Sequence, residues 1–389
     1  VAHHHFIEPF IPPQASIQPM SQPLFTPFQL RSVSFANRIG VSPMCEYSSV
    51  DGFAADWHLV HLGARAQGGA GLVILEASAV VPEGRISIAD LGIWKDEHIP
   101  NLQRIATFLH QQGARAGIQL AHAGRKGGMS APFTGERLLD PSEGGWQPVA
   151  PSALAFSPTY AVPTALDQAG IDAVIEAFRQ ATHRAFKAGF DLVEIHAAHG
   201  YLLHQFLSPL ANQRTDNYGG SFENRTRLTL QVVDAVRAIW PSHLPLIVRI
   251  SSTDWADGGW TIDESVQLAK LFRLRGVDLV DASSGGMVPY AKIPLAPGYQ
   301  VEFAARIRRE AEIPTAAVGL ITDPAQANAI VAHGEADIVL LAREMLRDPY
   351  WPLHAAAALD QPDPWPRQYL RAAPHHSPAR TPITRPEHA

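Results

Sequence analysis

The stretch Gly189-Phe190-Asp191-Leu192-Val193-Glu194-Ile195-His196-Ala197-Ala198-His199-Gly200-Tyr201 decides how the whole chain is read. Gly189 lies just past an amphipathic pattern over 171–188 and marks a helix stop. The β-rich run 192–198 follows almost at once. It is closer to continuously apolar than to alternating, as a parallel strand buried on both faces requires. A helix that stops on glycine and feeds such a strand is one unit of an α/β fold.

The same unit repeats outward in both directions. Further β-rich runs fall at 38–44, 71–78, 115–122, 246–252, 279–285, 315–319 and 337–342, which makes eight with 192–198. Helical patterns lie between them at 56–67, 99–112 and 262–275, each followed by glycine. Ser221-Phe222-Glu223 and Asp323-Pro324 read as capped helix starts. Eight strand–helix units predict a closed (β/α)8 TIM barrel. An open doubly wound sheet is the alternative, but usually needs fewer strands.

Three segments fall outside this repeat. Residues 24–37 read as a hairpin capping the barrel's N-terminal mouth, and 127–168 as a long Pro-, Gly- and Ser-rich insertion, a lid or a functional loop. The Pro- and Arg-dense tail reads as extended and suited to docking on a neighbouring subunit. The expected organisation is an arm over 1–23, a barrel over 24–359 and a tail over 360–389. The opening Val1-Ala2-His3-His4-His5 reads as a tag remnant or flexible arm, with a metal site as the alternative.

Composition narrows the function. Across 389 residues, 46% are hydrophobic and 17% charged, which describes a soluble globular chain with a large core. A net charge of -6 without a basic run argues against nucleic acid. Cys45 is the single cysteine, which excludes a disulfide framework and a multi-cysteine zinc or iron–sulfur site. No apolar stretch is long enough to span a bilayer and no secretory leader is recognisable, so a cytoplasmic location is expected.

In such a barrel the chemistry sits at the C-terminal ends of the strands. Those positions supply Ser42, Pro43, Met44, Cys45, Glu46 and Tyr47, then Glu76 and Ala77, then Gln119, His122 and Lys126. They continue with His196, His199 and Tyr201, then Arg249, and finally Gly319, Ala342 and Arg343. Two imidazoles can hydrogen-bond a carbonyl oxygen and stabilise the charge that develops on it. A nearby phenol can act as general acid. The alternative is a core histidine and a tyrosine that caps a helix. A metal on His122, His196 and His199 lacks supporting carboxylates. Arg249 is placed to meet a bound anion or an electron-rich ring, or else to pair with Asp281 or Glu194. The turns at Gly319 and at Ala342-Arg343 suit a phosphate, without saying whose.

At these residues the chain resembles the Old Yellow Enzyme family of FMN-dependent ene-reductases, and its thermophilic-like branch in particular. The matching stretches begin with Ser42-Pro43-Met44-Cys45-Glu46-Tyr47, Asp56-Trp57-His58-Leu59-Val60-His61-Leu62-Gly63 and Asp90-Leu91-Gly92-Ile93-Trp94. They continue with Gln119-Leu120-Ala121-His122-Ala123-Gly124-Arg125-Lys126 and His196-Ala197-Ala198-His199-Gly200-Tyr201-Leu202. Arg214-Thr215-Asp216-Asn217-Tyr218-Gly219-Gly220-Ser221-Phe222-Glu223-Asn224-Arg225 closes the set, and the resemblance spans 24–371.

The resemblance implies FMN across the barrel mouth, with Ser42, Pro43, Met44, Cys45, Ala77, Gln119 and Arg249 around the isoalloxazine. Gly319, Ala342 and Arg343 would hold the phosphate, with alanine at a position where the family usually has glycine. NADPH or NADH would supply hydride. His196 and His199 would grip the carbonyl of an activated alkene such as an enone, an enal, a maleimide or a nitro compound. Tyr201 would protonate the α-carbon, Tyr47 would add a hydrogen bond, and Cys45 would tune the flavin. Arg371 resembles an arginine that this branch inserts into a neighbouring subunit's site, which implies a homodimer or homotetramer. The aromatic that usually follows it is replaced by Ala372-Ala373-Pro374. Leu295 reads as a pocket wall or as loop packing.

Three rivals make distinct predictions. The dienoyl-CoA reductase or trimethylamine dehydrogenase type carries an iron–sulfur cluster, for which one cysteine is too few. A flavin carrier would have no use for His196, His199 and Tyr201 together. A lyase with Lys126 as Schiff-base nucleophile would be colourless.

Overall fold

The computed structural model describes residues 22–362 and 365–374. The expected arm, apart from residues 22 and 23, and the last fifteen residues of the tail (375–389) lie outside the described residues.

A short antiparallel hairpin comes first, β1 (Phe28–Leu30) and β2 (Val33–Phe35), with Phe28 opposite Phe35. β3 (Ile39–Val41) then opens the barrel and is followed by α1 (Asp56–Gln67), β4 (Leu72–Ala79), α2 (Ile99–Gln111) and β5 (Arg115–Ala121). The insertion carries a two-residue parallel ladder, β6 (Val149–Ala150) and β7 (Thr164–Ala165), before α3 (Gln168–Lys187). β8 (Leu192–Ala197) leads into α4 (Leu202–Leu207) and α5 (Phe222–Ile239), and β9 (Leu246–Ser251) into α6 (Ile262–Leu274). β10 (Leu279–Ser283), α7 (Val301–Ala311), β11 (Thr315–Val318), α8 (Pro324–Ala332) and β12 (Ile338–Leu341) complete the repeat. Two short helices close it, α9 (Arg343–Arg347) and α10 (Trp351–Ala358).

The eight barrel strands are parallel and close in the order β3-β4-β5-β8-β9-β10-β11-β12, with β12 paired to β3. The expected TIM barrel is therefore the fold. Helix starts follow side-chain chemistry: Ser221, Thr261 and Asp323 each accept an amide of the first turn. Asp167 does the same for α3, so that helix begins three residues before its apolar pattern does. Seven of the eight strands stop sooner than their apolar runs, because the last residues of those runs leave the ladder to enter the mouth of the barrel, while β4 continues one residue past its run.

Two apolar layers hold the structure. The outer one joins strands to helices and includes Val73, Ile118, Val193, Val248, Phe178 and Phe272. The inner one contains Leu72, Ile74, Leu192, Ile247, Leu279, Ile338 and Leu340, and is sealed by Leu30, Val33 and Phe35 of the hairpin. The hairpin thus caps the N-terminal mouth, as expected. With a period of two, the inward positions climb from Leu192 to Glu194 and His196 on β8, from Ile247 to Arg249 and Ser251 on β9, and from Leu279 to Asp281 and Ser283 on β10. The interior changes along its axis from apolar, to charged, to polar at the C-terminal mouth.

The tail departs from expectation. Arg367–Ala372 form a turn of 3-10 helix rather than an extended chain. Trp365, Pro366, Arg367 and Gln368 border a groove with Asn37, Ala70 and Gly113, which lead into β3, β4 and β5. The segment therefore packs beside the N-terminal end of the barrel.

Candidate active site

The end of β8 delivers the three expected groups to one place. The rings of His196 and His199 lie 5.1 Å apart at 89°, and those of His196 and Tyr201 lie 5.0 Å apart at 80°. Nδ1 of His196 accepts the Ala198 amide at 3.3 Å, so the ring's proton resides on Nε2. Burial above all, and then the neighbouring His199 imidazole, hold His196 well below the usual histidine range. Burial and then Arg249 do the same to His199. Both imidazoles are therefore neutral donors at neutral pH. Burial pushes the Tyr201 phenol well above its usual range, so it keeps its proton. Tyr201 does occupy the N-cap of α4, but its side chain makes no capping bond and stays with the histidines.

His199 is held from every side. Its φ of 58° is left-handed, an uncommon conformation for a residue with a side chain. Its amide donates to Ser251 Oγ at 2.9 Å, its Nε2 lies 2.7 Å from Ser283 Oγ, and its carbonyl accepts from Lys126 Nζ at 3.0 Å. Gly286 packs so close that an added Cβ would lie 2.7 Å from the His199 Cα. Below, His204 Nδ1 accepts the Gly200 amide at 2.9 Å, and Nε2 stands 2.9 Å from Asp254 Oδ1, both side chains fully buried. Ser251, Ser283, His204 and Asp254 were not singled out from the sequence. Serines at two inward strand ends carried a weak signal, and the His204–Asp254 pairing carried none.

Arg249 resolves both ways at once. Its Nε pairs with Asp281, its Nη2 donates to Ser42 Oγ at 2.7 Å, and Glu194 Oε1 lies 3.8 Å away. The sequence left an ion pair with Asp281 or Glu194 as one alternative, and β9 and β10 place Arg249 opposite Asp281 in register. The same guanidinium lines a pocket with Ser42, Pro43 and His199. That pocket continues to Gly319, Ala342 and Arg343, so Ser42, Pro43, His199 and Arg249 share one cavity with the phosphate turns, whereas Met44, Cys45, Tyr47, Ala77, Gln119, His196 and Tyr201 do not line it. At its far end Gly319 adopts a φ of 121°, and a Cβ there would lie 2.6 Å from Gln300 Nε2.

The other side of the mouth is shaped by a bulge in β4. The register passes from Leu75↔Ile118 directly to Ala77↔Gln119, which leaves Glu76 unpaired. Glu76 accepts the Glu46 amide at 3.2 Å and lies 3.5 Å from His58 of α1, outside the barrel interior. Ala77 takes the inward place beside Gln119. The Cys45 thiol is bonded by the Ala77 backbone, and burial above all pushes it up, so it stays protonated. Tyr47, at φ 49°, packs its ring 6.3 Å from Phe133 of the insertion, and burial raises its phenol. Met44 packs on the outer core.

The remaining candidates fall elsewhere. His122 accepts the Gly124 amide at 3.1 Å, which ties it to the turn after β5. Leu295 is 64% exposed and does not line the cavity that holds Arg249 and Gly319. Lys126 Nζ lies 5.1 Å from the Tyr201 ring centre, and burial followed by Arg125 lowers it to about 8. Arg371 is exposed and absent from its own chain's cavity.

A parallel barrel with two neutral imidazoles and a phenol at its mouth, and an arginine and helix-start amides at the other end of the cavity, defines a barrel oxidoreductase. The profile of the NADH:flavin oxidoreductase / NADH oxidase family matches residues 23–361. An NADPH dehydrogenase of Geobacillus sp. (strain WCH70) is 50% identical over 342 residues, 87% of this chain and 95% of its own. Morphinone reductase in complex with tetrahydroNAD superimposes with a TM-score of 0.74 at 30% identity, over 88% of this chain and 93% of its own. 2-Naphthoyl-CoA reductase in complex with 2-naphthoyl-CoA does so at 0.78 and 26%, over 88% of this chain and 53% of its own. The chain belongs to the NADH:flavin oxidoreductase / NADH oxidase family, the Old Yellow Enzyme family, and is an FMN-dependent oxidoreductase.

The donor set fits FMN. The first-turn amides of a helix have no partner within it, and α9 begins at Arg343, whose guanidinium adds positive charge for a phosphate. Toward the mouth Arg249 lines the same cavity and offers the cationic donor that a flavin ring requires.

Proposed function

We propose that the chain reduces the carbon–carbon double bond of α,β-unsaturated carbonyl compounds, with NADPH or NADH as hydride donor. The observation that carries this reading is the arrangement of His196, His199 and Tyr201: two neutral imidazoles and a protonated phenol at one strand end. FMN held in this cavity would supply the hydride-transfer chemistry between the nicotinamide and a substrate carbon.

The residues do the rest. Ser42, Pro43, Met44, Cys45, Ala77, Gln119 and Arg249 would surround the ring, and Gly319, Ala342 and Arg343 would hold the phosphate. His196 Nε2–H, with His199 beside it, donates to the substrate oxygen and stabilises its growing negative charge. Neutral imidazoles suit this task because they offer a proton without adding charge in the ground state. Tyr201 delivers a proton to the α-carbon, and its raised pKa keeps that proton in place until a strong carbon base forms. Tyr47 adds a donor on the insertion side, and Cys45 contributes a neutral thiol next to Ala77.

The name of the Geobacillus relative and the nicotinamide analogue bound to morphinone reductase support the choice of donor. Enones, enals, maleimides and nitroalkenes are the substrate class. Arg371 lies away from its own cavity and completes that of a neighbouring subunit in a homodimer or homotetramer. Anaerobic reduction of the bound flavin by NADPH, followed by mixing with cyclohexenone, tests the reading. Bleaching on the first step and recovery of colour on the second are expected. Recovery with oxygen but never with enones would end it.

A further inference from the structure

The charged layer beneath the mouth holds more negative than positive groups. Glu194 on β8 and Asp281 on β10 both have fully buried side chains, and Arg249 between them supplies one positive charge. Arg249 Nε is bonded to Asp281 Oδ2, and Gln119 Nε2 donates to Glu194 Oε1 at 2.7 Å. Each carboxylate keeps one buried oxygen without a hydrogen-bond partner, Oε2 of Glu194 and Oδ1 of Asp281. The two side chains converge on the same Arg249 Nε, with Asp281 Oδ2 bonded to it and Glu194 Oε1 3.8 Å away.

Two ionised carboxylates are not balanced by that one cation. Each oxygen is an acceptor, and a net negative charge would stand in a site closed to water. A single proton between them removes both difficulties. It supplies the missing donor to two orphaned oxygens and brings the triad to neutrality. The other inward neighbours cannot take its place: Ala77 on β4, Ala316 and Val318 on β11, and Leu340 on β12 carry no titratable group. Ser42 is committed to Arg249, and His196, one layer higher on β8, is neutral.

We propose that Glu194 carries a proton shared with Asp281, and that this proton sets the charge presented to the flavin through Arg249. Glu194 is thus a positioning residue of the redox site and never touches substrate. Burial above all, and then the Asp281 charge, push the Glu194 carboxyl up, in agreement with this geometry. With the proton in place, Arg249 faces the pocket as part of a neutral cluster. Its loss leaves one net negative charge below the ring and opposes electron uptake there. The proposal rests on FMN occupying this cavity, but the shared proton itself can be seen without it.

Infrared spectroscopy of the purified full-length protein gives the direct test. A carboxylic-acid C=O band at neutral pH, shifted in D2O and missing from Glu194→Gln, is expected. The difference between the two proteins separates it from Glu76, whose buried carboxyl is also pushed up. Glu194→Gln keeps a donor toward Asp281 and an acceptor for Gln119, so it mimics the protonated pair permanently. Its bound-flavin midpoint potential, followed from about pH 6 to about pH 10, should lack an inflection that the wild type shows, and lie above the wild type at the alkaline end. If Glu194→Gln does not fold, Asp281→Asn must remove the band by leaving Glu194 ionised against Arg249, while Glu76→Gln must leave it in place. An acid band that is absent at neutral pH, or that persists unchanged in Glu194→Gln, overturns the shared proton. A band that behaves as expected with identical potential profiles overturns the link to the flavin.

Discussion

Nε2 of His199 stands 2.7 Å from Oγ of Ser283, a bond between the loop after β8 and the end of β10 that fixes an imidazole in a left-handed backbone. Few side chains tolerate that backbone, and this one is held by Ser251, Lys126 and Gly286 as well. The site depends on this restraint. An imidazole free to rotate would offer its proton to water.

Tyr201→Phe should separate the two half-reactions. Phenylalanine keeps the edge contact with His196 and removes only the acidic proton. Alkene reduction should slow by roughly 10²-fold or more, within the range of general-acid contributions. Flavin reduction by NADPH should stay within about 2-fold, since it needs no such acid. Stopped-flow measurement of each step checks this, and equal losses in both would remove Tyr201 from its role.

The rate of enone reduction should show no histidine inflection. Burial holds His196 and His199 well below the usual range, so both remain neutral as pH falls through about 6.5, where a free imidazole gains its proton. Their protonated forms appear only in more acidic solution, and the loss of rate belongs there. A profile between about pH 6 and about pH 7.5, below the region where Lys126 titrates, would reveal a contrary inflection.

Gly286→Ala should damage the site from outside it. The residue has a φ of 86°, and the new methyl would press on the His199 backbone at 2.7 Å. Strain of this kind costs on the order of 1–3 kcal/mol. Thermal unfolding should shift downward by several degrees, and the KM for enone should rise, while FMN stays bound. An unchanged KM would mean that His199 does not rely on Gly286.

Arg371→Ala should leave stability and flavin content unaltered, because the side chain is exposed within its own chain. Its effect should fall on substrate KM. Mixed oligomers of Arg371→Ala and Tyr201→Phe subunits are the sharper check: a shared site predicts recovery of activity in the mixture. Activity equal to the average of the two variants would place Arg371 outside any shared site.

The sequence by itself determined the barrel and pointed to the residues of the candidate site. Apolar runs long enough to be buried on both faces, glycines after helices, and Ser or Asp before them are local signals, and local signals survive without a structure. Position at a strand's end was enough to single out His196, His199, Tyr201 and Arg249. Only the tertiary structure decided their partners. The register of β9 against β10 sets Arg249 opposite Asp281, and the bulge at Glu76 gives the inward place to Ala77. The shear that closes the barrel brings Ser283 and Ser251 to His199 from two different strands. Partners, charge balance and protonation depend on distances between segments far apart in the chain, and no periodicity along one segment records them.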